Sequence, residues 1–250
     1  MDSVNTQDLY HYNGIINEEM KSLLSGEIIL YHGSDHIIEE PLFGVGNAHN
    51  DYGLGFYCTR HEELAKEWAV SPFTDGYTNR YRFVSSGLRI LDLNRDGHTI
   101  LDWLSILLGN RIVRASTPLE QSGIEYLKNH FRIPNEDYDV LVGYRADDSY
   151  FSFARDFLRG TISVQKLKRL MHLGDLGNQV VIRSEEAFKR LEFLDAAKAS
   201  KEIFYPARQK RDLLARNSYM KMQKGGFDAN EIYLLDIIRE GMGRDDPRLR

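Results

Sequence analysis

The chain has 250 residues, a 42% hydrophobic fraction, a net charge of −5 and a single cysteine, Cys58. It is long enough to bury a sizeable core and too apolar for global disorder, and its mild acidity argues against a general electrostatic grip on nucleic acid. One cysteine excludes an intrachain disulfide framework and a cysteine-rich zinc site, and no stretch reaches the roughly 18 apolar residues of a membrane span, so a cytoplasmic protein free of membrane is expected.

Residues 1–25 read as a leader or short helix that stops at a glycine, with no basic region followed by an apolar run. EIILYHGS is β-rich and closed by Gly33 and Ser34; residues 35–50, with Pro41, Gly44, Gly46 and Asn50, are loop. GLGFYCT is strand-like. RHEELAKEWAV follows with Leu64, Ala65 and Trp68 at helical spacing. YRFVSSGLRILDLN reads as one or two strands, TILDWLSILLGNRIV and LEQSGIEYLKNHF as helices, and YDVLVGYRA as a buried strand before the helical SYFSFARDF. SVQKLKRLM is a helix and NQVVIRS a strand; SEEAFKRL begins like a helix, and the chain is helical and charged from about residue 202. No regular βαβ rhythm appears, so an α+β domain over 26–197, with a helical extension over 198–250, is expected rather than a doubly wound parallel sheet.

Several motifs fall short of familiar chemistry. GVGNAH at 44–49 lacks the last glycine of a dinucleotide fingerprint, and HEELA at 61–65 lacks the second histidine of a zinc protease. Cys58 beside His61 reads as a small buried side chain rather than a nucleophile. His32 at a strand end, before a turn, can present an imidazole to a ligand or pack there. In a strand, Phe56 and Tyr57 face opposite sides, so one ring joins the core and the other can line a cleft. Asp51 is either a turn-forming residue or a cofactor contact. Of the adjacent acids Asp147 and Asp148, one is expected to cap the following helix and the other, with Asp148 preferred, to enter a site. The basic residues Arg208, Lys210, Arg211, Arg216, Lys221 and Lys224 make a solvated helix face or a docking surface for a partner.

In order, YHGS, DYGLGFYCT with EWA, YDVLVGYRADDSY and NQVVIRS resemble the ADP-ribosyltransferase superfamily, in its diphtheria-toxin and poly(ADP-ribose)-polymerase branch. Within it they look closest to a bacterial family of unknown function that carries YHGS, DFGxGFYxT, ADD and QVV motifs. The resemblance spans about residues 28–195. It implies a split mixed and antiparallel sheet core with surrounding helices. It also implies mono-ADP-ribosyl transfer from NAD⁺ to a macromolecule, a protein rather than a nucleic acid, without a metal. A degenerate NAD⁺-binding module and an NAD⁺ glycohydrolase are the alternatives. By the resemblance, His32, Gly33, Ser34, Asp51, Gly55, Tyr57 and Thr59 hold the dinucleotide: His32 on the ribose, Gly33 on the carboxamide, Tyr57 stacked on the nicotinamide, Thr59 fixing the turn. Gly53 and Gly55 are expected to clear space for the cofactor and to turn the chain so that Tyr57 faces the nicotinamide. Gln179 stands where the branch carries a glutamate, so a carboxylate from Asp147 or Asp148 is expected to assist it.

Overall fold

The computed structural model describes residues 26–95, 97–146, 148–171, 177–224 and 226–250. The leader read over 1–25 lies outside the described residues. Strand β1 (Glu27–Ser34) pairs antiparallel with β3 (Gly76–Val84), in register from Glu27–Val84 to Ser34–Tyr77. β3 pairs antiparallel with β7 (Leu191–Ala199), completing a three-stranded sheet in the order β1-β3-β7. A second sheet has the order β2 (Phe56–Cys58), β6 (Asn178–Ile182), β5 (Val140–Tyr144), β4 (Ile90–Asp92). Its only parallel pair is β4 with β5. Tyr31 and Thr59 exchange two backbone hydrogen bonds, of 2.8 and 2.9 Å, and so join the two sheets where β1 meets β2. The fold is a mixed α+β structure with two sheets and eight α-helices among the described residues.

Strand alternation builds the core. Ile28, Leu30, Tyr81 and Phe83 of the first sheet pack against Phe56, Cys58, Val140, Val142, Val180 and Ile182 of the second. The intervening residues Tyr57, Leu141 and Val181 turn the other way, into a larger cluster made with the helices. Helix α1 (Glu62–Ala69) lies on β1. α2 (Ile100–Asn110) is buried at every position from Ile100 to Leu108, as an apolar helix inside a core must be. Its first turn is closed by a capping box of Thr99 and Asp102; α3 (Pro118–His130) repeats the device with Thr117 and Glu120. α4 (Asp148–Leu158) and α5 (Val164–Leu170) complete that layer.

Two regions go beyond what was expected of them. SEEAFKRL starts a helix, capped by Ser184, but α6 (Glu185–Phe188) lasts one turn. LEFLDAAKA then becomes edge strand β7, held by β3 through the ladder and by the exposed pairs Arg80–Asp195 and Arg82–Glu192. Pairing with β3 overrides the weak strand propensity of Ala, Asp and Lys. The extension read over 198–250 is largely helical, and its helices also pack into the core. Ala215 of α7 (Lys201–Gln223), Leu234 and Ile237 of α8 (Leu234–Glu240), Met242 and Leu249 all belong to the α2–α5 cluster. α7 docks on α1 through a two-pronged ion pair, Arg211 to buried Glu67, both contacts 3.0 Å. No helix among the described residues is long and apolar enough to cross a membrane.

Candidate functional site

The end of β1, β2 and the start of β6 meet at the seam between the sheets. There His32, Tyr57 and Gln179, far apart in sequence, border one cleft of about 290 Å³. Gly33 of β1, Trp68 of α1, Asn50 and Asp51 of the loop, Arg111, Arg145, Ala146 and Arg208 complete its walls.

His32 lies flat on Phe56, ring centroids 4.2 Å apart, and its Nδ1 sits 2.7 Å from the Tyr57 carbonyl oxygen. That carbonyl can only accept, so the proton is on Nδ1. Burial lowers the histidine pKa, which keeps the ring neutral and leaves Nε2 as an acceptor. Tyr57 has its hydroxyl occupied: it donates to the Gly53 carbonyl at 2.6 Å and accepts from the Tyr52 N–H at 3.1 Å. Burial raises its pKa, so it stays a phenol, and what it offers the cleft is ring surface. Gln179 is 7% exposed, and its Oε1 has no hydrogen-bond partner among the described residues. The Trp68 Nε1 is buried and equally unpartnered. A buried polar group left without a partner costs about 1–3 kcal/mol, and two such groups belong to residues that line this cleft.

Asp51 answers both of its readings. It is buried beside the cleft, and its carboxylate is committed: Oδ1 accepts from Arg111 Nε at 2.6 Å and Oδ2 from the Ala146 N–H at 2.9 Å. Burial pushes its pKa up while Arg111 opposes the shift. It therefore ties the loop to α2 and to the end of β5. Thr59 fixes the turn into α1, its hydroxyl accepting from the His61 N–H at 3.2 Å. Ser34 lies outside the cleft and accepts from Asn79 Nδ2 at 2.9 Å, holding the loop after β1. Asp147 lies outside the described residues, as does the Asp148 side chain.

Gly33 lines the cleft, and each glycine also has a reason in the packing. A Cβ on Gly33 would stand 2.0 Å from the Ala65 carbonyl oxygen, so its bareness lets α1 lie on β1. A Cβ on Gly55 would meet Val181 Cγ1 at 2.7 Å, so that glycine lets β2 close on β6. Gly53 turns the chain at φ +80°. Gly53 makes the expected turn, and with the strand contact at Gly55 it sets Tyr57 at the cleft.

The cationic character of the site was missed. Arg111 is paired with Asp51; the Arg145 guanidinium lies 4.1 Å over the Trp68 ring; half-buried Arg208 makes no hydrogen bond or ion pair with any described residue. Arg208 was hidden in a charge run and Trp68 in a helical apolar stripe, where each has a commoner structural meaning. Among the described residues no group of three or more His, Cys, Asp or Glu is placed to hold a metal ion. An arrangement of neutral imidazole, aromatic ring, neutral amide and guanidinium groups suits a polar ligand with flat rings and negative charge.

No curated protein and no solved structure matches the chain. A family model described as protein of unknown function, DUF3990, matches residues 28–193. That span holds His32, Tyr57, Arg145 and Gln179 and ends before Arg208, and on it the chain belongs to the DUF3990 family.

Proposed function

We propose that this cleft binds NAD⁺ and that the protein transfers its ADP-ribosyl group to a macromolecular acceptor, a protein in preference to a nucleic acid, releasing nicotinamide. One observation carries the reading: the stretches that resemble the ADP-ribosyltransferase branch supply His32, Tyr57 and Gln179 to one cleft, and Gln179 arrives there with a buried, unsatisfied carbonyl oxygen. The two-sheet core is compatible with the split sheet of that superfamily.

The chemistry follows from the groups present. Breaking the bond between ribose C1′ and the nicotinamide nitrogen sends the electron pair out with nicotinamide and leaves positive charge on the ribose, as in glycoside cleavage. Tyr57 offers a ring face to nicotinamide. His32 Nε2 accepts a ribose hydroxyl. Gln179 Oε1 accepts the other sugar hydroxyl and turns the negative end of a dipole toward the developing cation. The acceptor nucleophile then bonds to C1′ as nicotinamide departs, and its proton passes to solvent water. Gln179 cannot take that proton, and Asp51 is engaged by Arg111 and Ala146. The same observation favours a second reading, binding of NAD⁺ without turnover.

Purified protein, labelled NAD⁺ and a bacterial lysate separate these. Transfer predicts nicotinamide release and label on macromolecules, both lost in His32→Ala. Free ADP-ribose as the sole product identifies a glycohydrolase. Binding by titration without release identifies a binding module. No binding at all sinks the NAD⁺ reading.

A further inference from the structure

The C-terminal helix α7 lies beyond the family match and nevertheless walls the cleft with Arg208. Three guanidinium groups line the cleft against one carboxylate, Asp51, an excess of two positive charges among the described lining residues. Of the three, only Arg208 lacks any partner among the described residues. It does not hang loose. Arg211, three residues on and so on the same helix face, grips Glu67, and Lys66 lies 5.4 Å over Phe204, so the turns on either side of Arg208 are anchored to α1.

We propose that Arg208 is the diphosphate contact of this site, so that the cleft selects ligands carrying a diphosphate over nucleosides and free bases. A guanidinium presents a planar fork of donors that fits phosphate oxygens two at a time, and a partly desolvated position strengthens those bonds. A diphosphate diester carries two negative charges, complementary to a wall that holds Arg208. His32 and Gln179, both neutral, add nothing to that balance and face the uncharged parts of a ligand. The biological ligand rests on the NAD⁺ reading above; the diphosphate contact is testable without it.

The test is calorimetric titration, at low salt, of the full-length protein and its Arg208→Gln and Arg208→Lys variants with inorganic pyrophosphate, ADP-ribose and nicotinamide. Arg208 has no partner among the described residues, so the variants are expected to keep the wild-type melting temperature. We expect Arg208→Gln to bind pyrophosphate and ADP-ribose at least about tenfold more weakly, the size of one charged hydrogen bond, with Arg208→Lys between the two and nicotinamide unchanged. If pyrophosphate responds this way while ADP-ribose and NAD⁺ fail to bind the wild type, the diphosphate contact stands and the NAD⁺ reading falls. Equal binding of pyrophosphate and ADP-ribose by wild type and Arg208→Gln overturns the proposal. So does a wild type that binds neither, or a variant that loses nicotinamide as steeply as ADP-ribose.

Discussion

Gln179 and Tyr57 show how a single residue divides between fold and site. The Tyr57 hydroxyl is consumed by Gly53 and Tyr52, so its polar end serves the fold and its ring serves the cleft. Gln179 is the reverse: its Oε1 is buried and satisfies nothing. A polar atom kept in that state weakens the protein, which makes the position diagnostic. Gln179→Met preserves length and volume and removes the orphan acceptor. We predict that it leaves thermal stability unchanged or raises it by about 1 kcal/mol, while NAD⁺ binding falls at least about tenfold. A variant that loses stability and keeps its affinity would return Gln179 to a structural role. Strand alternation made it legible that Phe56 and Tyr57 face opposite sides, and the resemblance singled out Tyr57 and Gln179; the structure puts Phe56 in one core cluster and Tyr57 against the other, at the cleft. Trp68 was not legible as a cleft residue. Its spacing with Leu64 and Ala65 is that of a buried stripe, and only the packing of α1 on β1 turns its ring toward the cleft.

Between elements, the closest approach is that of β1 and α1, where a backbone carbonyl occupies the place of a side chain. Gly33→Ala would push a methyl to within 2.0 Å of the Ala65 oxygen and of backbone that cannot rotate away. We expect a loss of about 1–3 kcal/mol, seen as a lowered melting temperature, through displacement of α1 and with it Trp68. Gly109, in the last turn of α2, is the matched control: nothing lies within 4 Å of its missing Cβ. Gly109→Ala should stabilise by about 0.5–1 kcal/mol, because alanine gives up less backbone freedom in a helix. Equal effects at the two positions would mean that α1 does not press on β1 as described. From sequence alone both glycines look like interruptions of an element. Helices α2 and α3 could be placed from their amphipathic patterns, and the structure adds the capping boxes of Thr99 and Thr117. β7 could not, since its register comes from β3 and not from its own residues.

On the scale of the whole molecule, the boundary near residue 198 is a change of composition and not a seam in the packing. Leu234 presses so closely on α3 that a Cβ on Gly123 would meet its Cδ2 at 2.5 Å. The Tyr126 hydroxyl donates to the Met242 carbonyl at 3.0 Å. Arg244 Nε reaches Asp102, a carboxylate with no exposure inside the α2 capping box, at 2.7 Å. Charge runs along α7 hid this from the sequence, because a long, polar helix with few apolar positions reads as solvated on all sides. The extension therefore contributes in two ways at once, covering the α2–α5 cluster with α8 and carrying Arg208 to the cleft with α7. A chain ended at residue 199 would uncover Leu127 and strip Asp102 of its cation, and breaking a buried ion pair by removing one partner costs about 3–5 kcal/mol before any lost apolar contact is counted. Set against the roughly 5–15 kcal/mol that holds a domain together, that leaves little margin. We predict that the truncated chain shows no cooperative thermal transition, whereas Arg244→Ala, which loses the ion pair alone and keeps α8 in place, still unfolds cooperatively at a lower temperature. A truncated chain that melts sharply at the wild-type temperature would make the extension an independent unit, and Arg208 a visitor to the cleft rather than part of its wall.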